Sequence, residues 1–214
     1  MSYLKTFQKD PRGSTLWTLG NWWVNFDSMS TTFLTYLSAR VWGIQVSPAV
    51  QFIGLTYFKK YPISTIRIGA HCRFRSDFYS NMVGINRPCG LSTYSKQAQI
   101  LIGENCGFSG AIIAAYNKIE IGNGVIAGAN TTITDFDWHS MDPANRNTGK
   151  EMLSAPVSIG DNAWLGLNCL VLKGVTIGEN AIIGANAVVT SSIPANVIAV
   201  GNPARVIRDL NSGT

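Results

Sequence analysis

The chain has 214 residues, 46% of them hydrophobic and only 14% charged, with a net charge of +5. That length holds one sizeable domain plus an extension and allows a substantial core. A charge fraction this low fits faces covered by other subunits better than a free-standing monomer. No dense Lys/Arg run points to nucleic acid, while the positive balance suits small anionic ligands or a phospholipid surface.

Met1–Gly13 is polar, with Lys5, Lys9, Asp10 and Arg12, so no secretory leader is read there. No run reaches the ~20 apolar residues of a spanning helix. Residues 14–60 are rich in aromatic and aliphatic groups: Leu16-Trp17, Trp22-Trp23-Val24, Phe33-Leu34, Tyr36-Leu37 and Val41-Trp42. Their spacing predicts one or two amphipathic helices, interrupted by Gly20 and the polar Asn25–Ser28 patch, the better one from about Thr31 to Gly43. Such a segment either caps the open end of a stacked β-structure or lies in a membrane interface with Trp at headgroup level. Few basic residues flank it, which favours the cap.

Pro62 ends this region, and Ile66-Arg-Ile68-Gly69 opens a ragged first coil. Val83-Gly84 is read as another six-residue register, although the period is poorly kept between Phe74 and Gln99. Register returns at Ile102-Gly103 and Phe108, slips by one residue before Ile121-Gly122, and continues to Ile133. His139–Ala155 is polar and has no aliphatic ladder, so it is expected as a loop ejected from a corner, where function tends to sit. From Ile159 every sixth residue is aliphatic: Ile159, Leu165, Val171, Ile177, Ile183, Val189 and Ala195. Glycine follows four of these seven. Ordinary β-alternation has period two and cannot produce this lock at six, which is the mark of hexapeptide β-helix repeats. The expected fold is all-β, a parallel β-helix with an N-terminal helical, aromatic-rich extension. Its parts are an extension at 1–61, the β-helix at 62–208 with an inserted loop at 139–155, and a frayed tail at 209–214.

Cys72, Cys106 and Cys169 share one repeat position, which Ala163, Ala181, Ala187 and Val125 fill elsewhere. With Cys89 they form no C-x-x-C spacing, so packing is expected of them rather than redox or metal chemistry, and reduced thiols suit the cytoplasm. Of the two histidines, His71 sits at a turn inside a repeat and reads as incidental. His139 stands at the mouth of the loop among Asp135, Asp137 and Trp138, where an imidazole can take a proton from a hydroxyl.

The segments Thr134-Asp-Phe-Asp-Trp-His139-Ser-Met-Asp-Pro-Ala-Asn-Arg146, Ala155-Pro-Val-Ser-Ile-Gly-Asp-Asn-Ala-Trp164-Leu-Gly-Leu167 and Gly201-Asn-Pro-Ala-Arg205-Val-Ile-Arg208 resemble the hexapeptide-repeat O-acetyltransferases. These include the galactoside, maltose, nodulation-factor and capsule or colanic-acid-type enzymes. The likeness covers roughly Ile102–Arg208. It implies a left-handed β-helix, a homotrimer with sites between subunits, and acetyl-CoA as co-substrate without a metal. It further implies His139 as general base toward a sugar hydroxyl, with the Leu167 N–H as oxyanion donor and Glu151 or Asp137 orienting His139. Ser109, Trp138, Trp164 and Arg146 would hold the acceptor, and Trp164, Gly166, Leu167, Ala185, Thr190, Ser191, Arg205 and Arg208 would hold coenzyme A. The family often has Asn where this chain has Ser109, and Lys where it has Ser191. The first sixty residues look like the aromatic leader of polysaccharide-associated members. That points to capsule, exopolysaccharide or lipopolysaccharide assembly in the cytoplasm, with peripheral membrane contact through residues 14–60 still open.

Three alternatives stand beside this reading. One is N-acetyl transfer to an amino sugar or drug on the same fold. Another is γ-type carbonic anhydrase, which needs three zinc-binding histidines against the two present here. The third is a non-catalytic β-helix scaffold or serine-acetyltransferase-like partner.

Overall fold

Every sixth residue must point inward for this chain to bury its aliphatic side chains, and a coil of three short strands achieves that. The computed structural model describes residues 7–148 and 152–211. Its first coil is β1 (Gln45–Val46), β2 (Gln51–Ile53) and β3 (Tyr57–Lys59). Five more follow: β4 (Thr65–Ile68), β5 (Arg73–Arg75), β6 (Gly90–Thr93); β7 (Gln99–Ile102), β8 (Gly107–Ser109), β9 (Ile112–Ala115); β10 (Lys118–Ile121), β11 (Ile126–Ala127), β12 (Thr132–Thr134); β13 (Val157–Ile159), β14 (Trp164–Leu165), β15 (Leu170–Val171); and β16 (Thr176–Ile177), β17 (Ile182–Ile183), β18 (Val188–Val189). β19 (Val197–Val200) and β20 (Arg205–Asp209) close the stack as an antiparallel pair. The first, second and third strands of successive coils pair in parallel, giving three flat sheets around a left-handed prism.

The interior is a set of ladders. Phe52, Phe74 and Phe108 stack along the second sheet, with centroids 5.2 and 4.9 Å apart and planes within 20°. Ala127, Leu165 and Ile183 continue that ladder in the same register. The cysteines are buried, and Cys72, Cys106 and Cys169 donate to the carbonyls of Gly103, Gly122 and Gly184, each at 3.1 Å. Burial pushes the Cys89 thiol up to about 11, as expected of a packing residue.

Corners carry the conformational cost of the coil. Asn105, Asn162, Asn168, Asn180, Asn186 and Asn196 all sit at φ between 56° and 59°, a left-handed conformation that Asn tolerates better than most side chains. His71 takes the same corner position at φ 59°, which accounts for a histidine at that turn. Glycine after the anchor is needed for a different reason: a Cβ on Gly160 would lie 2.6 Å from Glu179 N, and one on Gly166 would lie 2.6 Å from Ala185 N.

The N-terminal part differs from expectation in three ways. The β-helix begins at Gln45 rather than 62, because Val46, Phe52 and Phe58 already keep the six-residue step and pair with β4, β5 and β6. One unbroken helix, α1 (Pro11–Val41), replaces the shorter one expected from Thr31. It is capped by Asp10, whose carboxylate accepts from Gly13 N at 2.8 Å, and it stops at Gly43, φ 63°. Bonds from Gly43 N to Arg40 O and from Ile44 N to Ala39 O complete a Schellman end. Val83 opens no repeat; residues 76–89 leave the coil as a loop containing a 3-10 turn at Phe78–Ser80. At the other end, Asp209 still belongs to β20 and Leu210 N donates to Asn196 O at 2.8 Å, so the ordered chain runs past 208; residues 212–214 lie outside the described residues.

α1 is polar inward. Thr31 and Thr32 hydroxyls donate to Phe52 O at 2.7 and 3.1 Å, Phe52 N donates to Thr32 Oγ1 at 2.9 Å, and Gly54 N to Thr31 Oγ1 at 3.2 Å. These hydroxyls satisfy the backbone groups that β2, the edge strand of the second sheet, would otherwise leave open. The helix thus covers the edge of β2 with its threonines, and Tyr36 packs edge-on to Phe52 at 5.8 Å. Its tryptophans point elsewhere: Trp17, Trp22 and Trp23 are 72, 62 and 61% exposed.

Replacing Gly160 by Ala should force the coils apart at one corner and cost about 1–3 kcal/mol of stability, the range of overpacking. A thermal or denaturant melt of the variant checks this; an unchanged midpoint would show that the corner has slack.

Candidate functional site

The prism has three edges, and the sequence-derived site residues fall on two of them. Between the third sheet and the next coil, the chain leaves β12 and returns at β13. The root of this loop is closed by Phe136 pairing with Ser154, by Asp137 N donating to Leu153 O at 2.8 Å and by Ala155 N donating to Asp135 O at 2.9 Å. Asp135 is fully buried, and its carboxylate accepts from Tyr116 N at 2.6 Å and Asn117 N at 2.8 Å. Burial raises its pKa against the pull of those amides, and its work is to hold the loop root. Trp138 packs on Phe136 at 4.7 Å and edge-on to Tyr94 at 5.1 Å, half exposed.

His139 follows this aromatic anchor and is exposed. Its Nδ1 lies 3.0 Å from the carbonyl oxygen of Arg146. A carbonyl can only accept, so Nδ1 carries the proton and the lone pair is on Nε2, free to act as a base. Of the two carboxylates expected to orient His139, only Asp137 lies among the described residues. Asp137 instead pairs with Lys173 at 2.7 Å, because that lysine rises from the next coil at the same edge. Glu151 lies outside the described residues. Arg146 is turned into the loop, its guanidinium reaching the carbonyls of Ser140 at 3.5 Å and Met141 at 3.3 Å, rather than standing free for an acceptor. Its carbonyl is the group in contact with His139.

The second edge, between the second and third sheets, carries the other group. Ser109, Gly128 and Gly166 follow one another in register on successive coils. Ser109 is buried and its Oγ accepts from Asn81 Nδ2 at 3.1 Å. A Cβ on Gly128 would lie 2.7 Å from Gly166 C and 2.8 Å from Leu167 N, so the stacking of these coils requires a residue without a side chain beside the Leu167 amide. Ala185 stacks directly on Gly166. Trp164 is 51% exposed on the outer face of the second sheet, with Ile126 and Ile182 as its register neighbours. Arg205 and Arg208 are exposed on β20, at the end of the same sheet. Thr190 and Ser191 are exposed after β18, on the loop's edge.

A single chain therefore does not bring His139 together with Ser109, Trp164 or Leu167; one full side of the coil, the third sheet, separates them. The residues that sequence reasoning missed are Lys173, the Arg146 carbonyl, and the pins of the 76–89 loop. Arg87 donates to Gly110 O at 3.1 Å and Thr132 Oγ1 at 2.7 Å, and Asn130 Nδ2 to Gly84 O at 2.8 Å. Lys173 was legible as the lone charge between Asn162 and Gly178. A backbone carbonyl carries no residue signature. Among the described residues no group of His, Cys, Asp or Glu could hold a metal ion.

A family model for the hexapeptide repeat of succinyl-transferase matches residues 156–191. Nodulation protein L of Rhizobium meliloti is 37% identical over 145 residues, covering 68% of this chain and 67% of that protein. The galactoside O-acetyltransferase of Escherichia coli is 40% identical over 120 residues, 55% of this chain and 58% of that enzyme. The chain thus spans less than two thirds of several relatives it matches. Among solved structures, AntD, an N-acyltransferase from Bacillus cereus in complex with dTDP and 3-hydroxybutyryl-CoA, has a TM-score of 0.62 at 20% identity, covering 81% of this chain and 87% of that one. A hexapeptide-repeat acetyltransferase from Vibrio cholerae, complexed with acetyl coenzyme A, has a TM-score of 0.55 at 22% identity, over 83% of this chain and 76% of that one. At these identities the likeness carries the fold, and the sequence relatives carry the family. The chain belongs to the hexapeptide-repeat acetyltransferases.

Proposed function

We propose that the protein is an acetyl-CoA-dependent O-acetyltransferase acting on a sugar hydroxyl, with each active site built by two copies of a homotrimer. The observation that carries this reading is the fixed tautomer of His139, whose Nδ1 proton is held by the Arg146 carbonyl. That leaves Nε2 to take the acceptor's hydroxyl proton as the oxygen attacks the thioester carbon. The Leu167 amide, beside Gly128 of the preceding coil, would donate to the oxyanion that develops on the thioester oxygen. The small residues Gly128, Gly166 and Ala185 leave room for an extended pantetheine arm along the second edge, and Arg205 and Arg208 can meet phosphates at its end. The two edges lie apart in one chain, and a threefold assembly would set the loop edge of one copy against the second edge of the next.

O-transfer is preferred over N-transfer because a hydroxyl needs a base at the moment of attack, and the contact of His139 Nδ1 with the Arg146 carbonyl supports that role for Nε2. Relatives named galactoside O-acetyltransferase are in keeping with this, although the AntD neighbour is an N-acyltransferase. Polysaccharide-precursor synthesis in the cytoplasm is the setting that fits these chemistries.

The outer face of α1 suits a lipid surface. Leu16, Leu19, Trp23, Phe26, Phe33, Leu37 and Val41 recur along one side, all at least 47% exposed, while Lys9, Arg12 and Arg40 supply positive charge beside them. Among the described residues no helix is long and apolar enough to cross a membrane. The full chain should co-sediment with vesicles containing anionic lipid, and combining Trp22→Ser, Trp23→Ser and Phe26→Ser should abolish this while acetyl transfer to a soluble acceptor persists. Equal sedimentation of both proteins would remove the lipid reading.

His139→Ala should lower kcat by roughly 10²- to 10⁴-fold, the usual worth of a general base, with acetyl-CoA binding retained. Wild-type turnover in that variant would sink the mechanism. Asp137→Asn should loosen the loop root and lower activity modestly, without moving the pH profile, because Asp137 pairs with Lys173 rather than His139; a displaced profile would return it to the orienting role.

A further inference from the structure

A groove of about 360 Å³ runs along the outer face of the second sheet, at the foot of the second edge. Arg73 and Arg75 project into it from β5, with His71 and Asn105 at one rim and Asn81 of the 76–89 loop at the other. Its lining contains no carboxylate. Arg73 Nε donates to Gln51 Oε1 at 2.9 Å, leaving its other guanidinium hydrogens unspent. Among the described residues neither arginine forms an ion pair, and the carboxylate of Asp77 is occupied by Tyr79 N at 2.8 Å. Partial burial and the like charge of Arg73 both depress the Arg75 pKa, the mark of a cation held without a counter-charge.

The groove is continuous with the proposed acceptor site. Arg75 pairs in register with Ser109, which is followed by Gly128 and then Gly166 beside the Leu167 amide. Three inter-coil steps of about 4.8 Å separate Arg75 from Gly166, roughly 14 Å between backbones. An arginine side chain covers part of that distance, and one sugar unit bearing an acidic group covers the remainder.

We infer that the acceptor is an anionic sugar, whose carboxylate or phosphate docks on Arg73 and Arg75 while its hydroxyl is presented at the Leu167 end of the second edge. This rests on the acetyl-transfer reading for the second half of the statement; the anion site itself does not. Guanidinium groups suit either acid, since both accept paired N–H donors.

Calorimetric titration with galacturonate, glucose 1-phosphate and, as neutral controls, galactose and glucose tests the site without requiring turnover. The wild type should bind at least one acidic sugar about tenfold or more tightly than its neutral match. Arg75→Gln and the Arg73→Gln/Arg75→Gln pair should erase that difference, and Arg75→Lys should restore part of it. The galacturonate and glucose 1-phosphate arms separate a carboxylate from a phosphate acceptor. No preference for either acid, or an equal loss of acidic and neutral sugars in Arg75→Gln, would overturn the proposal. So would a variant that changes oligomeric state with anion binding unaltered, since the arginines would then serve a partner subunit's acid. In coupled assays of coenzyme A release, Arg75→Gln should raise KM for the acidic acceptor with kcat retained. Anion binding without any acetyl transfer would defeat the proposed reaction and leave the anion site standing.

Discussion

The spacing between coils governs everything else in this molecule. Strands of a parallel sheet must sit about 4.8 Å apart for their hydrogen bonds to form, and at the corners that leaves no room for a Cβ on Gly160 or Gly166. The same corners ask the backbone for a left-handed residue, and Asn162, Asn168, Asn180 and Asn186 supply it. Asparagine adds a second benefit: Asn168 Nδ2 donates to Asn186 Oδ1 at 3.1 Å, and Asn180 Nδ2 to Asn196 Oδ1 at 2.8 Å, so the turns are tied to one another up the edge. Rigid corners make rigid edges, and both groups of candidate site residues lie on edges.

One physical device serves two ends of the structure differently. At the loop edge, backbone pairing and a buried Asp135 hold the root of an inserted segment, so the solvent-facing imidazole of His139 stands on a fixed base. At the second edge, Gly128 and Gly166 lack side chains because the backbone of the next coil lies within 3 Å of where a Cβ would be, and their amides donate to Leu165 O and Ile183 O. Flatness there is a consequence of coil stacking, and the proposed oxyanion donor, the Leu167 amide, lies beside it.

The repeat was legible from the sequence because a period of six is enforced at every coil. Ile159 to Val189 gives it away, and so does the break after Trp138. What escaped was governed by contacts that residue patterns do not encode. Val46, Phe52 and Phe58 keep the six-step, but their aromatic neighbours mimic a helical stripe, so the first coil was assigned to the extension. In α1 the usual sense of amphipathicity is reversed: Thr31 and Thr32 face inward because the open edge of β2 needs hydrogen-bond partners more than it needs apolar cover. His139 was found by its place at the repeat's interruption, whereas its partner, a carbonyl of Arg146, has no side-chain signature. A search among carboxylates for the partner of His139 meets Asp137, whose ion pair with Lys173 at 2.7 Å already engages it.

The central claim is that His139 of one copy works with the second edge of another. Subunit mixing tests it most directly. His139→Ala and Trp164→Ala each alone should be nearly inactive, the first lacking the base and the second the exposed ring of the second edge proposed to line the coenzyme A groove. Unfolded together, mixed in equal amounts and refolded, they should recover activity at roughly a quarter of the sites, the fraction in which both contributing edges are wild type. Mixed assemblies of confirmed composition that stay as inactive as their parents would contradict the account.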